Sequence, residues 1–235
     1  MRAILASSLL FLTACGPELF VAGNGVMKFE KRQANGTTGV LLSVPGSLII
    51  TLGSTPSLRI DAEENLLPYI DSNVVLGQLR ITDPNATLRP TQSIRFELTV
   101  PSLEAIAISV PGSVTAPALR ATDFSLSTSS AGSIHLDGLE ANSLVARLSS
   151  SGSISVDTGA VTTQDLHLSS SGSFVAPGLR SERATVELSS SGGAIIWVTE
   201  RLEAWLTSSG NVRYAGSPQV FAHLSSSGTV RPISN

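Results

Sequence analysis

A parallel β-helix, wound as one all-β domain in coils of about 18–20 residues, is the fold that this 235-residue sequence predicts. Three observations carry it. The pentapeptide Leu-Ser-Ser-Ser-Gly recurs at 148–152, 168–172, 188–192 and 224–228, with Leu206-Thr207-Ser208-Ser209-Gly210 as a near copy. Glycines fall at 112, 132, 152, 172, 192, 210 and 228, spaced by 20, 20, 20, 20, 18 and 18 residues. A fixed period of this length is the mark of a solenoid. Finally, apolar residues alternate with period two on both sides of each glycine, the pattern of a strand that buries one face.

The chain opens with Arg2 and the apolar run from Ala3 to Leu12. That run is too short for a bilayer, which needs about 20 residues, and reads as a secretory signal. It ends in Leu12-Thr13-Ala14-Cys15, the only Cys of the chain. This tetrapeptide resembles the lipobox of bacterial lipoproteins, where the cysteine is acylated and becomes the first mature residue. The expected division is a signal peptide over 1–14, lipidated Cys15 and a short tether over 15–22, and the β-helical domain over 23–235. Two or three acyl chains anchor stably where one is marginal, so the membrane becomes a partner through the chains on Cys15. Gly16 where Asp would favour inner-membrane retention implies the outer membrane, by the same resemblance. Loss of Arg2 takes the formal charge from −3 to about −4.

From 23 to 110 the sequence shows strands and turns without strict period. Strands are expected at 40–44, 48–52, 58–61, 79–82, 94–100 and 105–110, and coils here should be longer and less regular. Pro68 limits any helix over 63–70 to about one turn. No linker separates this part from the repeats, so a single domain is expected.

In the repeats, one inward column is Ile134, Ile154, Phe174, Ala194, Val212 and Val230, and a second is Leu136, Val156, Ala176, Ile196, Tyr214 and Pro232. A third is Leu148, Leu168, Leu188, Leu206 and Leu224. Equivalent strands of successive coils should stack in parallel, about 4.8 Å apart. The glycine column marks a corner that needs positive φ or close backbone approach. The serines should point outward or form hydroxyl ladders. Leucine-rich repeats fit less well, because their fixed Asn is absent.

Composition excludes several functions. Charged residues make up 14% of the chain, against roughly 25% for an ordinary soluble domain. With a net charge of −3 and no basic run, nucleic acid is not an expected partner. One Cys excludes a disulfide framework or thiolate cage, and three scattered His argue against a zinc enzyme. Neither a cofactor nor a metal ion is expected.

Gly23-Asn24-Gly25, with Glu30 and Arg32, resembles the opening of the head GIN domain family, also labelled auto-transporter adhesin. So does the segment from Ile60 to Ile70 (Ile-Asp-Ala-Glu-Glu-Asn-Leu-Leu-Pro-Tyr-Ile), followed by Gly77, Leu79 and Ile81. The serine-glycine coils and the closing Tyr214-x-Gly216-x-Pro218 are similar too. The resemblance spans about 23–233 and implies a right-handed parallel β-helix on secreted or lipid-anchored envelope proteins, with no catalytic residues. The chain departs from the family pattern at Thr37 and Thr38, where a Phe is frequent.

Candidate chemistry is sparse. Asp137 and Asp157 occupy one place in adjacent coils, a spacing compatible with a retaining glycosidase pair, but each precedes a glycine-bearing corner, and that is the stronger reading. Asp61, Glu63 and Glu64 could bind Ca²⁺, with a solvated turn favoured. Nucleophilic serine needs a base and an orienter, and neither His167 nor His223 supplies such a set. The exterior row Arg147, His167, Glu187, Trp205 and His223 is the candidate binding face, because stacked polar and aromatic side chains suit a glycan or a protein.

The expected function is therefore a non-catalytic, lipid-anchored bacterial envelope protein acting in adhesion or surface binding. A self-associating periplasmic scaffold is the alternative, motivated by the open end of a β-helix. A carbohydrate-active enzyme is the least favoured reading.

Overall fold

The computed structural model describes residues 19–233, so the signal segment and Cys15 lie outside the described residues. The chain forms a β-solenoid whose coils present three parallel sheets around an apolar core. The first sheet follows the glycine column: Gly46–Leu52, Gly112–Ala116, then 133–136, 153–156 and 173–176, down to Asn211–Ala215 and Thr229–Pro232. The third sheet carries the leucine column: Gly39–Leu42, Ala105–Ile108, Asp123–Thr128, then 143–148, 163–168, 183–188, 201–206 and Gln219–Leu224. A short second sheet joins them, beginning at Leu119–Arg120. Among the described residues no helix is long and apolar enough to cross a membrane; one 3₁₀ turn, Leu67–Tyr69, carries Pro68.

The period fixes this register. Ser133 pairs with Ser153 and Ser153 with Ser173, so each side chain stacks on its equivalent 20 residues away. Ile134, Ile154, Phe174, Ala194 and Val212 are buried, as are Leu136, Val156, Ala176 and Ile196, and Leu148, Leu168, Leu188 and Leu206. The columns fray at the C-terminal end: Leu224 is 48% exposed, and Val230 and Tyr214 are half-buried. The shorter, 18-residue coil is absorbed in the second sheet, where the register slips between Ala176 and Arg180 and again between Ser181 and Arg183. Trp197 consequently pairs with Arg180 rather than Pro177 and is half-buried, with the guanidinium 4.9 Å from its ring centre.

The repeat glycines are needed for close approach. A Cβ on Gly172 would meet Ser150 O at 2.6 Å and Gly152 O at 2.7 Å, and one on Gly192 would meet Gly172 O at 2.5 Å. Successive corners therefore pack backbone on backbone, and Ser173 N donates to Gly152 O just beside them. The serines of the pentapeptides lend backbone carbonyls to this contact, as Ser150 does to Gly172, and are themselves exposed or half-exposed. Hydroxyl rungs form between Ser43 and Ser109 (2.7 Å) and between Thr51 and Thr99 (3.1 Å), on the N-terminal coils.

The N-terminal region departs from the expected coils. Strands at 39–42 and 46–52 pair directly with those at 105–108 and 112–116. Residues 53–104 are an excursion that folds back over the other side of this first coil. Arg95–Val100 and Gln78–Thr82 extend the first and third sheets in parallel. Ser57–Glu63 and Asp71–Val75 then add to them antiparallel, and Met27–Gln33 adds antiparallel to Ser57–Glu63. Lys28, Glu30 and Arg32 lie opposite the buried Ala62, Ile60 and Leu58, so this outermost strand turns charge toward the core end. Inward charge on an edge strand discourages further strand addition. Arg32 is held there by Glu30, Ile70 O and Ser72.

Candidate functional site

Alternation on the third sheet leaves every second residue outside, and the coil register stacks those residues in rows. Arg147 pairs with His167, His167 with Glu187, Glu187 with Trp205 and Trp205 with His223. The first four line a groove of about 420 Å³ running along the solenoid, between this row and the rim formed by Ser149, Ser169, Ser189 and Thr207. His223 does not line it. Its ring stacks on Trp205, centroids 3.8 Å apart and planes 12° from parallel, so one face of the indole is covered and its other side remains toward the groove. His167 is bracketed by carboxylates, Nδ1 to Glu187 Oε2 at 2.9 Å and Nε2 to Asp165 Oδ1 at 3.2 Å. Arg147 is exposed and has no carboxylate partner among the described residues. The groove therefore offers an unpaired cation at one end, an amphipathic aromatic at the other and hydroxyls along the rim.

A second groove of equal volume, about 420 Å³, lies over the second sheet between Leu103, Leu119, Leu139 and Gly159. Volume does not separate the two, but chemistry does. In the second groove Arg120 is paired with Glu140 at 3.0 Å, and the lining holds no aromatic side chain.

The acidic cluster of Asp61, Glu63 and Glu64 is taken apart by the fold. Asp61 forms a bidentate pair with Arg59 (2.9 and 2.7 Å). Glu64 pairs with Lys28 and accepts from Asn24. Glu63 points the other way, into the cap, fully buried. It accepts from Gly25 N (2.6 Å), Thr91 N (2.8 Å) and Thr91 Oγ1 (2.6 Å). The Thr91 hydroxyl, with the backbone donors of Gly25, Thr91 and Gln92, holds the Glu63 carboxyl below the usual range against the opposing pull of burial. Gly23 leaves the space: a Cβ there would sit 1.9 Å from Glu63 Oε2. Asn24 N donates to Asn65 Oδ1 and Asn65 Nδ2 to Ala22 O. The segments around Gly23-Asn24-Gly25 and Glu63-Glu64-Asn65, distant in sequence, are thus two halves of one structural clasp rather than a calcium site.

Asp137 and Asp157 stack at the exposed corner, where the Thr158 hydroxyl donates to Asp137 O at 3.0 Å. The sequence reading missed the residue that joins them. His135 Nε2 lies 3.5 Å from Asp137 Oδ1 and 3.6 Å from Asp157 Oδ2, while Nδ1 meets Ser155 Oγ at 2.9 Å. The signal was present: alternation puts His135 and Asp137 on one face, and the 20-residue offset brings Asp157 and Ser155 beside them.

The chain has relatives of known fold. A putative adhesin from Bacteroides fragilis has a crystal structure that is similar at a TM-score of 0.84, with 18% identity, covering 91% of this chain and all of that one. A putative adhesin from Parabacteroides distasonis aligns at 0.71, with 20% identity over 91% of this chain and all of its own. A protein described as a putative lipid binding protein, also from Parabacteroides distasonis, aligns at 0.73, with 20% identity over 92% of this chain and all of its own. At such identities the likeness is one of fold. No curated protein matches the chain. The sequence model of one family matches residues 38–218, most of the solenoid, and through it this chain belongs to the family described as putative auto-transporter adhesin, head GIN domain.

Proposed function

We propose that this chain is a lipid-anchored envelope protein, held at the outer membrane through Cys15, whose solenoid is a non-catalytic binding head that takes an extended glycan in the groove of the third sheet. The observation that carries the reading is the row from Arg147 to Trp205, held in register by four consecutive coils along one groove. Rungs about 4.8 Å apart approximate the length of one sugar ring in an extended chain, so each coil can meet one residue of a linear polymer. Trp205 supports a sugar face, the serine rim meets hydroxyls, and unpaired Arg147 favours a polymer carrying carboxylate or sulfate groups. Adhesin family membership supports a surface role.

The test is binding of the full chain to a panel of linear polysaccharides, acidic and neutral. Trp205→Ala and Arg147→Ala should each reduce affinity for the bound glycan at least tenfold while the melting temperature stays within a few degrees, since both side chains are exposed. Unchanged affinity in both variants would remove the groove from consideration. Protection of the groove by acyl chains instead of glycans would favour the lipid-binding description carried by one structural relative. Cys15→Ser should release the protein from membranes, and protease cleavage on intact cells should place the head outside.

A self-associating scaffold is favoured by one observation. The last coil leaves Leu224 48% exposed in a column whose earlier members are buried. Sedimentation of a strict monomer at high concentration would set this alternative aside.

A further inference from the structure

We propose that His135, Asp137 and Asp157 form a site for a borderline divalent cation, with zinc the best match, which fastens two adjacent coils on the outer face of the first sheet. The starting point is electrostatic. Asp137 and Asp157 occupy equivalent positions on neighbouring rungs, and like charges directly across a ladder repel. Pro117 and Pro177 occupy the corresponding places in the coils on either side, and His135 is the only basic side chain in ion-pair contact with either carboxylate among the described residues. The corner therefore concentrates negative charge and places one imidazole nitrogen in front of both sources.

The geometry is that of a chelate. One ligand atom from each of the three residues can be chosen so that all lie within 4.8 Å of one another, and Nε2 stands 3.5 and 3.6 Å from the two carboxylates. Bonds of about 2.0–2.1 Å to a tetrahedral zinc ion put ligand atoms roughly 3.3 Å apart, so the nitrogen already stands near ligand spacing from both carboxylates, and rotation of the two exposed Asp side chains closes the site. Its ring is already fixed from behind by the Ser155 hydroxyl at Nδ1, the kind of outer partner that orients a ligating histidine.

His167 supplies an internal contrast. It too meets two carboxylates, but through opposite ring nitrogens, Nε2 to Asp165 and Nδ1 to Glu187. That is a bridge of two ion pairs, with no single point where three ligands converge. His135 differs by presenting both carboxylates to one nitrogen. An imidazole with two carboxylates suits zinc or a similar borderline ion, whereas calcium and magnesium prefer all-oxygen cages. The site is exposed at both Asp residues, which leaves the remaining coordination to water. Joining residue 137 to residue 157 strengthens the interface between adjacent coils, the quantity that sets solenoid stability.

The experiment is calorimetric titration of zinc chloride into the full chain, purified without a polyhistidine tag, with melting curves in zinc and after chelation by EDTA. Cobalt substitution, read by visible absorption, reports the ligand set directly. The expected result is one zinc per chain, a melting temperature raised by a few degrees at saturation and full reversal by EDTA. His135→Gln should abolish the stoichiometric site, Asp157→Asn should weaken it at least tenfold, and His167→Gln should leave it intact. Circular dichroism of the metal-free variants separates loss of binding from loss of fold. Absence of stoichiometric binding by the wild-type chain, wild-type affinity in folded His135→Gln, or loss of the site on replacing His167 would each overturn the assignment.

Discussion

The coils from 132 to 228 and the cap from 19 to 104 are built on opposite principles within one continuous stack. In the coils the contacts of the inward columns are made again 18 or 20 residues later: Leu148, Leu168, Leu188 and Leu206 are four instances of one packing environment. In the cap nothing repeats. From residue 53 to residue 104 the chain leaves the coil period; it pairs in parallel with the first coil, adds antiparallel strands beyond it, and is closed by the buried carboxylate of Glu63. Repetition makes stability a sum over neighbours, in which each term is replaceable. A clasp concentrates the closure of the end in a few atoms. The two regions should accordingly break in different ways.

The largest effect is expected at Glu63. Its removal leaves the Gly25 and Thr91 donors unpaired inside the cap and opens a cavity, so Glu63→Ala should lower the melting temperature more than any single truncation in the coils. The pH dependence follows from the direction of its shift. A carboxyl held below its ordinary value of 4.5 stabilises the fold fully above that pH, and the contribution is lost as pH falls through the lower value of the folded state. Melting curves of the wild-type chain from pH 7 to pH 3 should therefore drop most steeply below about pH 4.5. Glu63→Gln should start lower and descend less; a parallel descent would place the acid sensitivity elsewhere.

Within the coils, the leucine column can be graded by position. Leu168 is 1% exposed and flanked by coils on both sides, so Leu168→Ala should cost about 3 kcal/mol in urea unfolding. Leu224, 48% exposed in the same column, should cost about 1 kcal/mol on the same change, because half of its side chain already meets water. Equal costs would mean that a partner or a second copy covers the C-terminal end in solution.

The glycines sharpen the same contrast. A methyl group on Gly172 must displace two carbonyl oxygens of the preceding coil, which should cost about 2 kcal/mol as overpacking. Gly36, in the cap, has φ +74° and open space around its Cβ position; Gly36→Ala should cost about 1 kcal/mol from backbone strain alone. The same residue type thus serves close packing at Gly172 and a left-handed turn at Gly36.

This division also explains what could be read from the residues. Period, alternation and the glycine series were enough to align Ile134 with Ile154 and Phe174 and to put Arg147, His167, Glu187 and Trp205 in one exterior row. That row lines the groove because the register of parallel coils follows directly from the repeat. The excursion 53–104 escaped, since its pairings join segments with no shared spacing: Met27 meets Glu63 and Ser57 meets Thr99. Glu63 read as one of three solvated acids because its burial depends on Gly25 and Thr91, which only folding brings near. His135 lay within reach of the repeat arithmetic, but its partners appear only when two adjacent coils are read together.

Thr37 offers the smallest and most specific test of the comparison. It stands in the first turn beyond the outermost strand and is 4% exposed. Its Oγ1 is buried with no hydrogen-bond partner among the described residues, whereas Glu63, opposite Met27 at the far end of the outermost strand, accepts three hydrogen bonds. A buried hydroxyl without a partner carries its desolvation cost uncompensated. Thr37→Val keeps the shape and removes that cost, so it should raise stability by about 1 kcal/mol in urea unfolding, with no change in the pH profile set by Glu63. The coils hold one counterpart: Gln164 is buried, its Nε2 donates to Leu179 O at 3.4 Å, and its Oε1 has no hydrogen-bond partner among the described residues. A stabilised Thr37→Val would show that the cap, whose contacts occur once, carries an uncompensated polar group; a destabilised one would mean that the hydroxyl is satisfied in solution by water, and that the cap is wetter than its packing implies.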